Sequence, residues 1–331
     1  MVSTIKPQVK STGKRNLSVE FLRLFAAFGV IVIHVPCSTD AATTLGDFLV
    51  LICVPFFYVA SITYFISNLK RNTVNETLSK MWFRILIPYI AWTVIYVSLY
   101  LVKKAMVGTS HSFAFLEVVF YGGSAVQLYY LPELVALQLL CLSLHILFSK
   151  AYLNKGVGFL LLAVPVLYLG LGYYYKCPGV TPPIAIFLIL VSGFYFSSRV
   201  QNSVTNLRFV FIGLFLMLIV FYCNTIRPDI IKAFSLYQFV GIGAFMIAIG
   251  MPLSFKLPDW VAPILTVSFG IYLCHFLFLE VFVSLLKKQH IAVYYNMGNK
   301  ILIAGVIFII SIAFTLVVRK IKYFKAALLG E

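Results

Sequence analysis

The sequence predicts an all-α, polytopic integral membrane protein of about ten transmembrane helices with both termini cytoplasmic. Three observations carry that prediction. Hydrophobic residues fill 62% of the 331 positions and charged residues 11%, against roughly 45–50% and 25% in soluble domains. The apolar residues fall in ten runs, at roughly 17–36, 47–67, 82–102, 130–149, 157–175, 182–198, 207–224, 234–252, 262–286 and 301–318. Each is close to the ~20 residues that a helix needs to cross a bilayer. The 26 Lys and Arg gather at the ends of these runs, and with both termini inside they favour the inner side by about two to one.

The net charge of +16 is therefore explained by topology, and no nucleic-acid partner is expected. Residues 1–16 read as a basic cytoplasmic tail, 17–318 as one transmembrane domain and 319–331 as a second cytoplasmic tail. Two pairs, Lys103-Lys104 and Lys287-Lys288, fall on the outer side against the trend. None of the six cysteines forms a C-x-x-C pair, so they read as buried small hydrophobes, with a Cys37–Cys177 bridge left open. No metal-binding spacing, Walker loop, G-x-G-x-x-G or G-x-S-x-G occurs.

The first run carries Glu20, Arg23 and His34. Residues three and eleven apart lie near one stripe of a helix, so these three share a face. Ionisable groups inside a bilayer are costly unless they face protein or water, which makes such a stripe a candidate site. Arg23 can grip phosphate or carboxylate, Glu20 can hold it, and a neutral His34 can take a proton from a hydroxyl. The alternative is a snorkelling Arg23 and a core histidine at 34.

Later runs add walls to the site. The second contains Pro55-Phe56-Phe57 and Ser61, a kink signal with a hydroxyl one and a half turns on. Lys80 and Arg84 open the third and fit either an anionic ligand or anionic lipid. The segment from Lys103 to Tyr129 reads as an interfacial helix, a lid or a plain loop. Tyr130 and Glu133 open the fourth run, Glu133 at a depth that would let it orient His34. The ninth reads Ser268-Phe269-Gly270-Ile271-Tyr272-Leu273-Cys274-His275, with three polar groups at depth and a glycine for close helix approach. Glu280 is rotated away from His275; His145 reads as structural, and His111 and His290 as loop residues.

Taken together, these segments resemble the acyltransferase 3 family of integral membrane acyltransferases. Arg23, ten residues and His34 resemble its R-x10-H motif, with Glu20 at its D/E-x-x-R position. Pro55-Phe56-Phe57 with Ser61 resembles P-x-F-F-x-x-S-G, although Ile62 replaces the glycine. Arg84 to Tyr89 resembles the basic start of its third helix, although Met81 stands where a first base is usual and Lys80 sits one residue earlier. Tyr130-Leu131 resembles its W-F/Y-L entry, and Ser268 to His275 its S-x-G-I-Y-L-x-H segment. The resemblance implies an O-acyltransferase of the bacterial inner membrane, with no bound cofactor. Its donor would be acetyl-CoA or another acyl-CoA, held at Arg23, Arg84 and Lys80. Its acceptor would be a lipid-linked or nascent surface glycan, with His34 as base or acyl relay assisted by Glu20 and Glu133. Ser61, Tyr130, Ser268, Tyr272 and His275 would line the pocket, and lipid would surround the chain. A transporter of a small solute or acyl group on the same fold is the alternative.

Overall fold

The protein is described here by a computed structural model covering residues 16–107, 114–149, 155–177, 180–200, 204–233, 235–254, 257–291 and 293–331. Among these residues the regular structure is entirely helical. Eight helical stretches are long and apolar enough to cross a membrane, and two more are apolar but shorter. The protein is a multi-pass membrane protein.

Helix α1 (Leu17–His34) starts at Asn16, whose side chain accepts hydrogen bonds from the backbone N–H of Ser18 and Val19. This cap satisfies donors that the first turn leaves open. Helix α2 (Asp40–Leu69) has 30 residues and at ~1.5 Å per residue runs roughly 45 Å, longer than the ~30 Å hydrocarbon core. It runs on through Pro55, which is buried. Helix α3 (Val74–Met81) opens with a capping box of Thr73 and Glu76, then passes through a π-helical turn, Trp82–Leu86, into α4 (Ile87–Val107). The third apolar run is thus preceded by two further turns of helix that carry Lys80. Pro88 has no N–H to offer Arg84 O, and the ladder skips: Ile87 N–H bonds Trp82 O instead.

A short helix α5 (Phe115–Phe120) follows, with Phe115, Leu116 and Phe120 exposed. Tyr89 anchors it from α4, donating to Val118 O and Val119 O at 3.0 and 2.9 Å. The central pieces after it are α6 (Tyr130–Phe148), α7 (Lys155–Tyr174), α8 (Pro183–Phe196), α9 (Leu207–Ile226), α10 (Pro228–Ala233) and α11 (Gln238–Gly250). The ninth run divides into α12 (Val261–Leu265) and α13 (Ser268–Lys288), and α14 (Met297–Val318) and α15 (Lys322–Phe324) complete the order. Arg319 spans the α12–α13 break: it donates to Pro263 O, Thr266 Oγ1 and Thr266 O at 2.8–3.2 Å. Residues 325–329 form a second π-helical turn. They pack under α4, where Trp92 Nε1 donates to Leu328 O at 3.0 Å.

Burial ranks the helices. In α2 and α6 61% of the spanning stretch is buried, in α9 only 11%. The first two are central and the last faces outward, where its apolar surface suits lipid. Helix association in lipid depends on packing and interhelical hydrogen bonds rather than on escape from water. Gly270 meets the expectation of close approach: a Cβ there would lie 2.4 Å from Thr315 Cγ2 of α14. Ile62 fills space beside α8, where a Cβ on Gly193 would come within 2.7 Å of its Cγ2. Cys37 and Cys177 are free thiols. Lys103 is ion-paired with Glu280 of α13 at 2.9 Å, which gives half of one countertrend pair an intramolecular reason.

Gly270→Val should destabilise the α13–α14 contact by roughly 1–3 kcal/mol, the range for overpacking. Gly305→Val on α14, with no neighbouring atom within 4 Å of its Cβ position, should be close to neutral. Thermal unfolding of detergent-solubilised protein checks the pair.

Candidate active site

The stripe on α1 faces two different surroundings, one at each end. At the Arg23 end, a cavity of about 880 Å³ opens between α1, α2, α3, the π turn, α6 and the start of α13. Among the described residues four cations line it, Arg23, Arg71, Lys80 and Arg84, and no acidic residue does. Asn68, Asn72, Ser61, Tyr64 and Gln138 add hydrogen-bonding groups. The cavity lies within the ~300–1,000 Å³ usual for ligand pockets.

Each cation is placed differently. Arg23 Nη1 pairs with Glu20 Oε1 at 3.4 Å, the expected one-turn partnership, and its guanidinium lies 4.8 Å from the centre of the Tyr64 ring. Lys80 Nζ donates to Asn72 Oδ1 at 2.7 Å, so the lysine one residue before Met81 still reaches the cavity. Arg84 sits in the π turn. It is exposed and has no side-chain partner among the described residues. Gly330, in the left-handed region at φ 65°, packs on the Arg84 backbone, where a Cβ would meet Arg84 O at 2.6 Å.

From the cavity a file of polar rings leads to the other end of α1. Tyr130 OH donates its single hydrogen to Phe57 O at 3.2 Å, so at its 3.0 Å contact with Ser61 Oγ it accepts. The Tyr130 ring meets Tyr272 edge-on at 5.4 Å between centroids. Tyr272, whose hydroxyl donates to Gln127 O, lies 6.2 Å from His275. His275 lies 5.5 Å from His34 with 24° between the ring planes. The structure therefore brings Ser61, Tyr130, Tyr272, His275 and His34 into one continuous series.

Two expected members stand apart. Glu133 does not meet the imidazole: its carboxylate accepts from Thr181 N at 2.6 Å and from Tyr58 OH. It ties α6 to α2 and to the segment before α8, and is 1% exposed. The depth of Glu133 suggested a partner for His34, but depth says nothing of which way the helix is turned. Ser268 is buried at the first turn of α13, next to Phe269 of the cavity wall, and hydrogen-bonds no site residue among those described. His111 lies outside the described residues; His290 is exposed.

Sequence reasoning missed Lys300. It is wholly buried, and its Nζ donates to Val35 O at 2.9 Å and to Cys37 Sγ at 2.8 Å, directly after His34. Its place just before an apolar run gave it the look of a loop anchor. Gln127 was also passed over. It is 2% exposed and donates to Tyr96 OH at 2.9 Å.

A family model described as an acyltransferase domain, Acyl_transf_3, matches residues 16–320. The chain belongs to the acyltransferase 3 family. The match takes in both ends of the site, from Asn16 at the cap of α1 to the residue after Arg319. No curated protein and no solved structure matches the chain. As an acyltransferase 3 member the protein is a membrane acyltransferase, and its arrangement is suited to that chemistry: a cationic chamber, a hydroxyl- and ring-lined interior, and a histidine at the far end.

Glu133→Ala should destabilise the protein by roughly 1–3 kcal/mol for each stranded partner, Tyr58 OH and Thr181 N. Glu133→Gln, which keeps an acceptor, should cost less. Unfolding temperature in detergent distinguishes the two.

Proposed function

We propose that this acyltransferase moves an acyl group, acetyl in the simplest case, from cytoplasmic acyl-CoA to a hydroxyl of a cell-surface polysaccharide such as an O-antigen, capsule or exopolysaccharide. The bacterial inner membrane is its proposed location, with the Arg23 end of α1 on the cytoplasmic side. The observation that carries this reading is the cavity: among the described residues its lining holds four cations and no acid, and a file of rings joins it to a histidine at the opposite end of the same helix. A polyanionic donor fits such a chamber, since charge-assisted hydrogen bonds to phosphate are strong and Arg binds it bidentately.

His34 is eleven residues beyond Arg23, about 16 Å along the helix. A donor with its phosphates at Arg23, Arg84 and Lys80 would send its pantetheine arm past Ser61 and Tyr130 towards His34. There His34 takes the proton of the acceptor hydroxyl as its oxygen attacks the acyl carbonyl. The new C–O bond forms, the C–S bond breaks, and the proton passes to the departing thiolate. A covalent acyl relay on His34 uses the same two ends of the site.

His34→Ala should lower acetyl transfer by about 10²–10⁴-fold, the range for loss of a general base, with the protein still made. Transfer of label from acetyl-CoA to glycan in membranes measures it; label at the wild-type level, with solute uptake that depends on the protein, would favour a transporter. Arg84→Ala should raise the KM for acetyl-CoA about 10–100-fold, as loss of a charged hydrogen bond to a phosphate predicts, with a smaller effect on kcat.

A further inference from the structure

We propose that His275 is a positioning residue for His34: its Nε2 accepts a hydrogen bond from the His34 ring N–H, and so fixes which His34 nitrogen meets the substrate. His275 Nδ1 lies 3.1 Å from Ile271 O. A carbonyl oxygen only accepts, so Nδ1 carries the hydrogen and Nε2 of the neutral ring carries the lone pair. That Nε2 is buried without a hydrogen-bond partner among the described residues, and His275 is 0% exposed. An acceptor left unpaired inside a protein costs free energy and calls for an explanation.

Several donors near it are committed elsewhere. Tyr272 OH donates to Gln127 O, Tyr96 OH to Leu273 O, and Cys274 Sγ to Ile271 O and Ser311 O. Lys300 is engaged with Val35 O and Cys37 Sγ. The His34 ring is a direct neighbour that carries a donor. Its centroid is 5.5 Å from that of His275, with 24° between the planes. Two imidazoles joined nitrogen to nitrogen have centroids roughly 5 Å apart, a ~2.9 Å hydrogen bond plus a ring radius at each end. His34 is the last residue of α1, followed by Val35 in extended conformation, so no further helical turn crowds it on that side.

The bond gives His34 the organisation that a general base needs: one nitrogen held by an orienting partner, the other presenting its lone pair. The held nitrogen faces α13. The other nitrogen is then left for substrate; His34 is only partly buried, whereas His275 is enclosed. The catalytic consequence rests on the acyl-transfer reading; the hydrogen bond itself does not.

Two experiments test this in the full-length protein in membranes. The first compares His275→Phe, which keeps a ring but removes the acceptor, with His275→Gln, whose Oε1 replaces Nε2. His275→Phe should lower acetyl transfer from acetyl-CoA about 10–100-fold, the scale for loss of a partner that orients a functional histidine. His275→Gln should recover most of it, and His275→Phe should cost nothing further in a His34→Ala background. Wild-type transfer by His275→Phe, an equal loss in the Gln variant, or an independent loss in the His34→Ala background would overturn the proposal. The second is solid-state NMR of protein labelled with ¹⁵N-histidine, of which there are five residues. A hydrogen-bonded correlation between two imidazoles should be present, and lost in both His275→Phe and His34→Ala; its absence from the wild type would overturn the pair. If the wild type transfers no acetyl group, the proposed function fails while the NMR still decides the hydrogen bond.

Discussion

Inside a bilayer a charge or a hydrogen-bonding group has only the protein to turn to, and this constraint arranges the whole chain. Glu20 neutralises Arg23. Glu133 collects Tyr58 and Thr181. Lys300 closes on the end of α1 through Val35 O and Cys37, and Arg319 donates to carbonyls where α12 and α13 part. All but the Glu20–Arg23 pair join elements distant in sequence, so polar satisfaction doubles as tertiary structure. Two groups of the candidate site have no hydrogen-bond partner among the described residues: the guanidinium of Arg84 and Nε2 of His275. They lie at opposite ends of the file of rings.

The file of rings explains why α1 is central. One helix carries the cation that lines the chamber and the histidine that meets His275, so their separation is set by helical rise alone. The π turn at Trp82–Leu86 serves the same chamber from the other side. By interrupting the regular ladder it gives Arg84 a direction that a continuous α-helix would not.

Much of this was legible in the sequence because it depends on period and length. The apolar runs, the Glu20–Arg23–His34 stripe and the Ser268 to His275 segment all follow from helical geometry, and the acyltransferase 3 resemblance drew on their order. The roles of Glu133 and Lys300 were not legible. Both depend on how one helix is rotated against another, which is a property of packing and not of spacing. The π turn was readable in part: Pro88 marks a missing donor, but whether the chain answers with a kink or with an i→i−5 bond depends on tertiary packing, which spacing does not show. Gln127 escaped notice because it lies outside every apolar run, in the short stretch before α6.

The central claim is directional: a donor at the Arg23 end and an acceptor at the His34 end. The most direct test uses sealed membrane vesicles of known orientation and acetyl-CoA labelled in its acetyl group, a donor that does not cross the bilayer. The account predicts that label enters glycan only when the donor is supplied to the face bearing Arg84 and Lys80, and that the labelled product is accessible from the opposite face. Label taken up from the His34 face, or product confined to the donor's own side, would contradict it.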